Sequence, residues 1–92
     1  MSQNISKIKN SLSVIILCGG QGQRLRPLTE KIPKPLIKIK NKTIIEYIIN
    51  HFHKHKIENI IIVTGYKHKL LKQFVNKKYI NRDNYSIKLL HL

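Results

Sequence analysis

The chain has 92 residues, 18 of them Lys or Arg against 4 Asp or Glu, for a formal net charge of +14 at pH 7. That length supports one small domain, which buries only about 60% of its unfolded surface, and no apolar run approaches the roughly 20 residues of a membrane-spanning helix. A single cysteine excludes an intrachain disulfide and a zinc quartet and fits a reducing, cytoplasmic compartment.

The charge raises the question of a polyanionic partner, either nucleic acid or an anionic membrane. The lysines are scattered over every segment, Ala is absent, and only three of the basic residues are Arg, the type suited to two-pronged phosphate contacts. Tyr47, Tyr66, Tyr79 and Tyr85 are likewise dispersed and do not form a stacking platform. Compositional bias accounts for the charge without a nucleic acid or a membrane.

Residues 1–12 are polar with isolated apolar positions and read as a tail. The segment Lys7–Cys18 mimics a lipoprotein signal, but its apolar core is short and Leu17 stands where such signals need a small residue. Ser13–Leu17 is a short β-branched run, the pattern of a buried strand. It empties into Gly19, Gly20 and Gly22, a loop able to bend sharply and present its amides to a ligand. One helical turn is expected near Leu25–Thr29. Arg24 and Arg26 follow the glycines, and Lys34 lies between Pro33 and Pro35, which predict a stiff, extended segment. A strand opening into a glycine loop with fixed cations is a design for binding phosphate.

Leu36–Ile39 alternates apolar and basic and reads as a short strand or extended edge, and Lys40–Lys42 as a turn. Thr43-Ile-Ile-Glu46 matches a capping box that opens a helix with Ile44, Ile45, Ile48, Ile49 and Phe52 on its apolar stripe. The helix fades near His55–Lys56. Its His51, His53 and His55 lack a Cys or carboxylate companion and read as a solvated helix end, not a metal site. Ile60–Thr64 is a second buried strand, ended by Gly65. Lys67–Asn76 is a second helix with Leu70, Leu71, Phe74 and Val75 inward, Lys77–Asn84 a polar loop, and Ser86–Leu92 a third strand. The β-α-β-α-β order predicts half of a doubly wound, Rossmann-like parallel sheet, with the first strand central.

The run G-G-x-G-x-R-L-x-P-L-T, then I-P-K-P with Lys34 ten positions after Arg24, closely resembles the signature of the sugar-nucleotide pyrophosphorylases. The resemblance extends through Asn59–Tyr66 (N-I-I-I-V-T-G-Y) and covers residues 13–91. Cys18 stands where Ala is usual. Gln23 stands where Thr or Ser is usual, which removes a hydroxyl that could contact a phosphate.

The resemblance implies the N-terminal β-α-β-α-β portion of a nucleotide-diphospho-sugar transferase fold in residues 13–92. The family's catalytic domain is more than twice this length, so a truncated domain is expected. The implied reaction joins a nucleoside monophosphate from a nucleoside triphosphate to a sugar 1-phosphate, releasing pyrophosphate. Arg24 would grip the leaving pyrophosphate, and Lys34 would reach the α-phosphate and the sugar phosphate. The backbone of Leu17, Cys18, Gly19 and Gly20 would lie against base and ribose, and Gly22 and Gln23 would offer amides to the phosphates. Arg26 falls on a position that varies in the family and is expected to be solvated.

The family uses Mg²⁺ held by aspartates from later strands. Glu30, Glu46, Glu58 and Asp83 do not sit where such a site needs them, so no metal ligand is assigned, and the chain by itself is expected not to turn over sugar nucleotide. A homo-oligomer is compatible with the resemblance. Three alternatives stay open: a nucleotide-binding remnant without catalysis, a basic nucleic-acid-binding module, and a molybdenum-cofactor guanylyltransferase-like protein, where the lysine follows the arginine more closely.

Overall fold

The computed structural model describes residues 12–80, 82 and 85–92. The tail expected at 1–12 thus falls, except for Leu12, outside the described residues, as do Asn81, Asp83 and Asn84 of the polar loop. The β-branched run at the start forms β1, Ser13–Cys18. The other two long runs form β4, Asn59–Thr64, and β5, Ser86–His91. All three lie parallel, with Cys18 beside Thr64 and Thr64 beside His91, so their carboxyl ends share one edge of the sheet.

The order is β1-β4-β5, which places β1 at an edge and β4 in the centre. This corrects the expectation of a central first strand. The two successive β-α-β units step in the same direction, and only a reversal could bring a strand to the other side of β1. The edge position removes a central β1 as a basis for placing the site; the parallel register is as expected.

One helix, α1, is a single turn over Leu28–Lys31; α2 spans Ile44–Lys54 and α3 spans His68–Tyr79. Ile16 and Cys18 of β1 and Ile60 and Ile62 of β4 form one core with Ile45 and Ile49 of α2 and Leu71, Val75 and Tyr79 of α3. Both long helices therefore cover the same sheet face. On the opposite face Ile15 and Leu17 of β1 are 63% and 80% exposed, and Leu90 of β5 is 54% exposed.

Helix α2 starts as the capping box predicts. The Glu46 amide donates to the Thr43 hydroxyl at 3.2 Å, and the Thr43 amide donates to the Glu46 carboxylate at 3.3 Å. Burial pushes the Glu46 carboxyl up. The Lys78 ammonium at 2.9 Å and the Thr43 donors outweigh it and hold the group below the usual carboxylate range. At the other end Lys56 takes a left-handed conformation, φ 63°. Its amide donates to the His53 carbonyl, and the Ile57 amide to the Phe52 carbonyl, a Schellman stop.

Three local expectations are corrected. Leu36–Ile39 supplies strand only at β2, Lys38–Ile39, which pairs antiparallel with β3, Lys42–Thr43, around a left-handed Lys40. Helix α3 runs three residues beyond Asn76, because Tyr79 continues the buried spacing of Leu71 and Val75. That spacing rotates Leu70 off the stripe, and it is 38% exposed.

Candidate phosphate-binding site

The glycine loop leaves β1 at Cys18 and turns immediately against the end of β4. Gly19 and Gly65 touch: a Cβ on Gly65 would stand 3.1 Å from the Gly19 carbonyl oxygen. The same carbonyl accepts the Tyr66 amide at 3.2 Å. Two glycines at adjoining strand exits thus let the loop and the β4 exit share one edge.

Gly22 caps a 3-10 turn over Gln23–Leu25 in the left-handed conformation, φ 62° and ψ 39°. Its carbonyl accepts the Leu25 amide at 2.9 Å and the Thr29 hydroxyl at 2.8 Å. A Cβ on Gly22 would stand 2.8 Å from the Thr29 methyl and 3.4 Å from the Lys34 Cβ. Only glycine fits between these neighbours. The close passage of Lys34 also explains how residues ten positions apart come to one place.

Lys34 is not on an extended segment. Pro33 is extended, but Lys34–Leu36 forms a 3-10 turn with Pro35 in its first positions. Proline is tolerated there because its missing amide would have had no partner in a first turn. The outcome is a cleft of about 440 Å³ lined by Gln21, Gly22, Gln23, Arg24, Leu25 and Lys34. Among the described residues neither Arg24 nor Lys34 has an ion-pair partner.

Leu17, Cys18, Gly19 and Gly20, expected at the site, do not line this cleft. Gly19 and Gly20 form its approach from β1, and a Cβ on Gly20 would meet nothing within 4 Å. The Leu17 side chain projects from the uncovered sheet face. The Cys18 side chain is in the core, where burial pushes its thiol up to about 11, so only its backbone is open to a ligand. Arg26 is exposed, and its guanidinium donates to the Gln21 side-chain carbonyl at 3.3 Å.

Three residues without an assigned role belong to the site. Gln21 lines the cleft, and its side-chain oxygen also accepts from the Gln23 side chain at 3.2 Å. Thr29 and Tyr66 lie inside the quoted motifs, at the ends of P-L-T and V-T-G-Y. Thr29 is fully buried beneath Gly22, and the Tyr66 hydroxyl donates to the Thr29 carbonyl at 2.7 Å.

Among the described residues no carboxylate lines the cleft, and no cluster of three or more His, Cys, Asp or Glu is fit to bind a metal ion. Glu46 is engaged with Thr43 and Lys78. Two amides and two cations do not fit Mg²⁺. Of the tyrosines, Tyr79 is buried, Tyr85 stacks on His53 at 4.4 Å, the Tyr66 hydroxyl is bonded to Thr29, and Tyr47 is exposed. No helix among the described residues is long and apolar enough to cross a membrane.

This arrangement has relatives. The D-glycero-alpha-D-manno-heptose 1-phosphate guanylyltransferase of Aneurinibacillus thermoaerophilus is 39% identical over 77 residues, 83% of this chain and 34% of that one. The choline-phosphate cytidylyltransferase of Streptococcus pneumoniae is 39% identical over 79 residues, 86% of this chain and 31% of that one. The solved structure of the CTP:phosphocholine cytidylyltransferase from Streptococcus pneumoniae matches with a TM-score of 0.73 at 36% identity, over 87% of this chain and 32% of that chain. HddC from Yersinia pseudotuberculosis, solved with GMP-PN, matches with a TM-score of 0.73 at 28% identity, over 87% of this chain and 35% of that chain. The chain spans about a third of the length of these two curated relatives. A family model for nucleotidyl transferases matches residues 13–90, and with the parallel sheet, the glycine loop and its two cations in place, the chain belongs to the nucleotidyl transferase family.

Proposed function

We propose that this chain is the nucleotide- and phosphate-binding part of a nucleotidyltransferase acting on a nucleoside triphosphate and a sugar 1-phosphate. The observation that carries the reading is the convergence of Arg24 and Lys34 on one cleft around Gly22. Two cations without an ion-pair partner among the described residues, beside a backbone that only glycine can adopt, suit a polyphosphate better than any neutral ligand.

In the reaction, an oxygen of the sugar phosphate forms a bond to the α-phosphorus while the bond from that phosphorus to the bridging oxygen breaks. The electron pair leaves with pyrophosphate. Such transfers are driven by positioning and by neutralising charge where it accumulates. Arg24 grips the departing pyrophosphate, Lys34 reaches the α-phosphate and the incoming phosphate, and the Gly22 and Gln23 amides face the phosphate oxygens. The open side of Gly20 leaves room for base and ribose along the backbone of Leu17, Cys18 and Gly19. Among the described residues the cleft offers no carboxylate to the Mg²⁺ expected of the family; if bound, that ion would offset the charge of the phosphates. The reading puts the chain in the cytoplasm, where such substrates are made.

A second reading, nucleotide binding without turnover, is favoured by a cleft that carries no carboxylate among the described residues. Equilibrium dialysis with labelled GTP, CTP, UTP and dTTP, run beside a pyrophosphate-release assay, separates the two. Retention of one triphosphate that is lost in Arg24→Ala, without pyrophosphate release, supports binding by this part alone. Mg²⁺-dependent pyrophosphate release by the chain itself would make it a complete catalyst. Retention of none would refute both readings.

A further inference from the structure

Behind the cleft lies a set of polar contacts that joins the loop to the end of β4. Thr29 is fully buried, although it belongs to a loop whose other residues are mostly exposed. Its hydroxyl is bonded to the Gly22 carbonyl at 2.8 Å, and its own carbonyl accepts the Tyr66 hydroxyl at 2.7 Å. The Glu30 carbonyl lies 3.4 Å from the same hydroxyl. Tyr66 is 36 and 37 residues away in the chain, at the exit of the central strand, and its amide holds the Gly19 carbonyl. One residue, two positions past the end of β4, therefore bonds to the loop at both limbs: at Gly19 where it leaves β1, and at Thr29 where it returns.

We propose that Tyr66 and Thr29 are positioning residues that latch the phosphate loop in its binding conformation before any ligand arrives. The inference rests on the phosphate-binding reading of the cleft. The Tyr66 hydroxyl holds the return limb, Thr29 passes the constraint to the Gly22 carbonyl, and Gly22 sets the 3-10 turn that aims the Gln23 amide and the Arg24 side chain. Without the latch, the loop would lose ordering entropy at each binding event, and that loss would weaken affinity without removing a single contact to the ligand. Neither residue lines the cleft, so neither acts by touching phosphate.

The test uses two readouts on the full 92-residue chain and on Tyr66→Phe, Thr29→Val and Thr29→Ser. The first is hydrogen exchange at Leu25 and Arg26 in the free protein, whose amides close the 3-10 turn onto the Gly22 and Gln23 carbonyls. The second is calorimetric titration with inorganic tripolyphosphate at fixed salt. Loss of one such hydrogen bond predicts exchange at Leu25 and Arg26 faster by about tenfold in Tyr66→Phe and Thr29→Val, with the Ile61 and Ile62 amides of β4 unchanged. Tripolyphosphate affinity should fall about tenfold in the same two variants and stay within about twofold in Thr29→Ser, which keeps the hydroxyl. Unchanged protection at Leu25 and Arg26 in Tyr66→Phe would overturn the latch, whether or not the chain binds anion. A loosened loop with unchanged affinity would overturn its positioning role. A parent chain that does not bind tripolyphosphate, but whose Leu25 and Arg26 protection still depends on Tyr66, would overturn the phosphate-binding reading and leave the latch standing.

Discussion

Replacing Gly22 with alanine should be among the most damaging single-methyl additions in this fold. Two costs combine. An L-residue held near φ 62° loses about 1–2 kcal/mol. The new Cβ also falls 2.8 Å from the Thr29 methyl, well inside van der Waals contact. Thr29 is fully buried, and turning its side chain away would break the hydroxyl's bond to the Gly22 carbonyl, worth about 1 kcal/mol. The total is about 2–4 kcal/mol. The two costs separate in a double-mutant cycle, because Thr29→Ser removes the colliding methyl and keeps the hydroxyl. In urea unfolding, Gly22→Ala should lower the midpoint at unchanged slope, and its cost should shrink by about 1–2 kcal/mol in the Thr29→Ser background. A cost below about 1 kcal/mol, or the same cost in both backgrounds, would refute the geometry described for this turn.

Three further predictions follow from other parts of the molecule. In a full-length homologous context, Arg24→Ala and Lys34→Ala should each lower kcat/KM by about 10²–10³, and Arg26→Ala by less than about fivefold; the reverse ranking would misassign the phosphate-gripping residue. Lys56→Gly should stabilise the chain by about 1 kcal/mol in the same urea assay, since glycine accepts the left-handed stop of α2 without strain. Burial raises the Cys18 thiol from 9.0 to about 11, so the folded state holds that proton more tightly. The stability tied to it is complete below pH 9 and is lost as pH rises through 11, and Cys18→Ala should flatten that alkaline decline, read as unfolding midpoints from pH 8 to 11.

Where a local rule and the global packing agree, the sequence was readable. The capping box at Thr43 and Glu46 is local chemistry, and α2 begins where it says. The β-branched runs became strands because nothing in the fold opposes that pattern. Arg24 and Lys34 were singled out by the family resemblance; that both line one cleft rests on the Gly22 and Lys34 turns, which the spacing alone does not give. Strand order was not legible, since no residue of β1 reports which neighbours it will have; Ile15 and Leu17 have the pattern of a buried strand but lie on an uncovered face. The turn at Lys34 was misread because proline bars a helix interior but not its first turn. Thr29 and Tyr66 stood inside quoted motifs, yet their bond links residues 37 positions apart, and one sequence carries no signal for such a pair.

The central claim is that the cleft around Gly22 takes the phosphates of a nucleotide. An amide-resolved NMR titration of the chain with GTP and CTP at physiological salt tests it most directly. The largest shifts should fall on Gly19, Gly20, Gly22, Gln23 and Lys34 and should vanish in Arg24→Ala. Shifts concentrated at the start of α3, around Lys67–Leu70, or spread evenly over the exposed lysines and indifferent to Arg24, would contradict it.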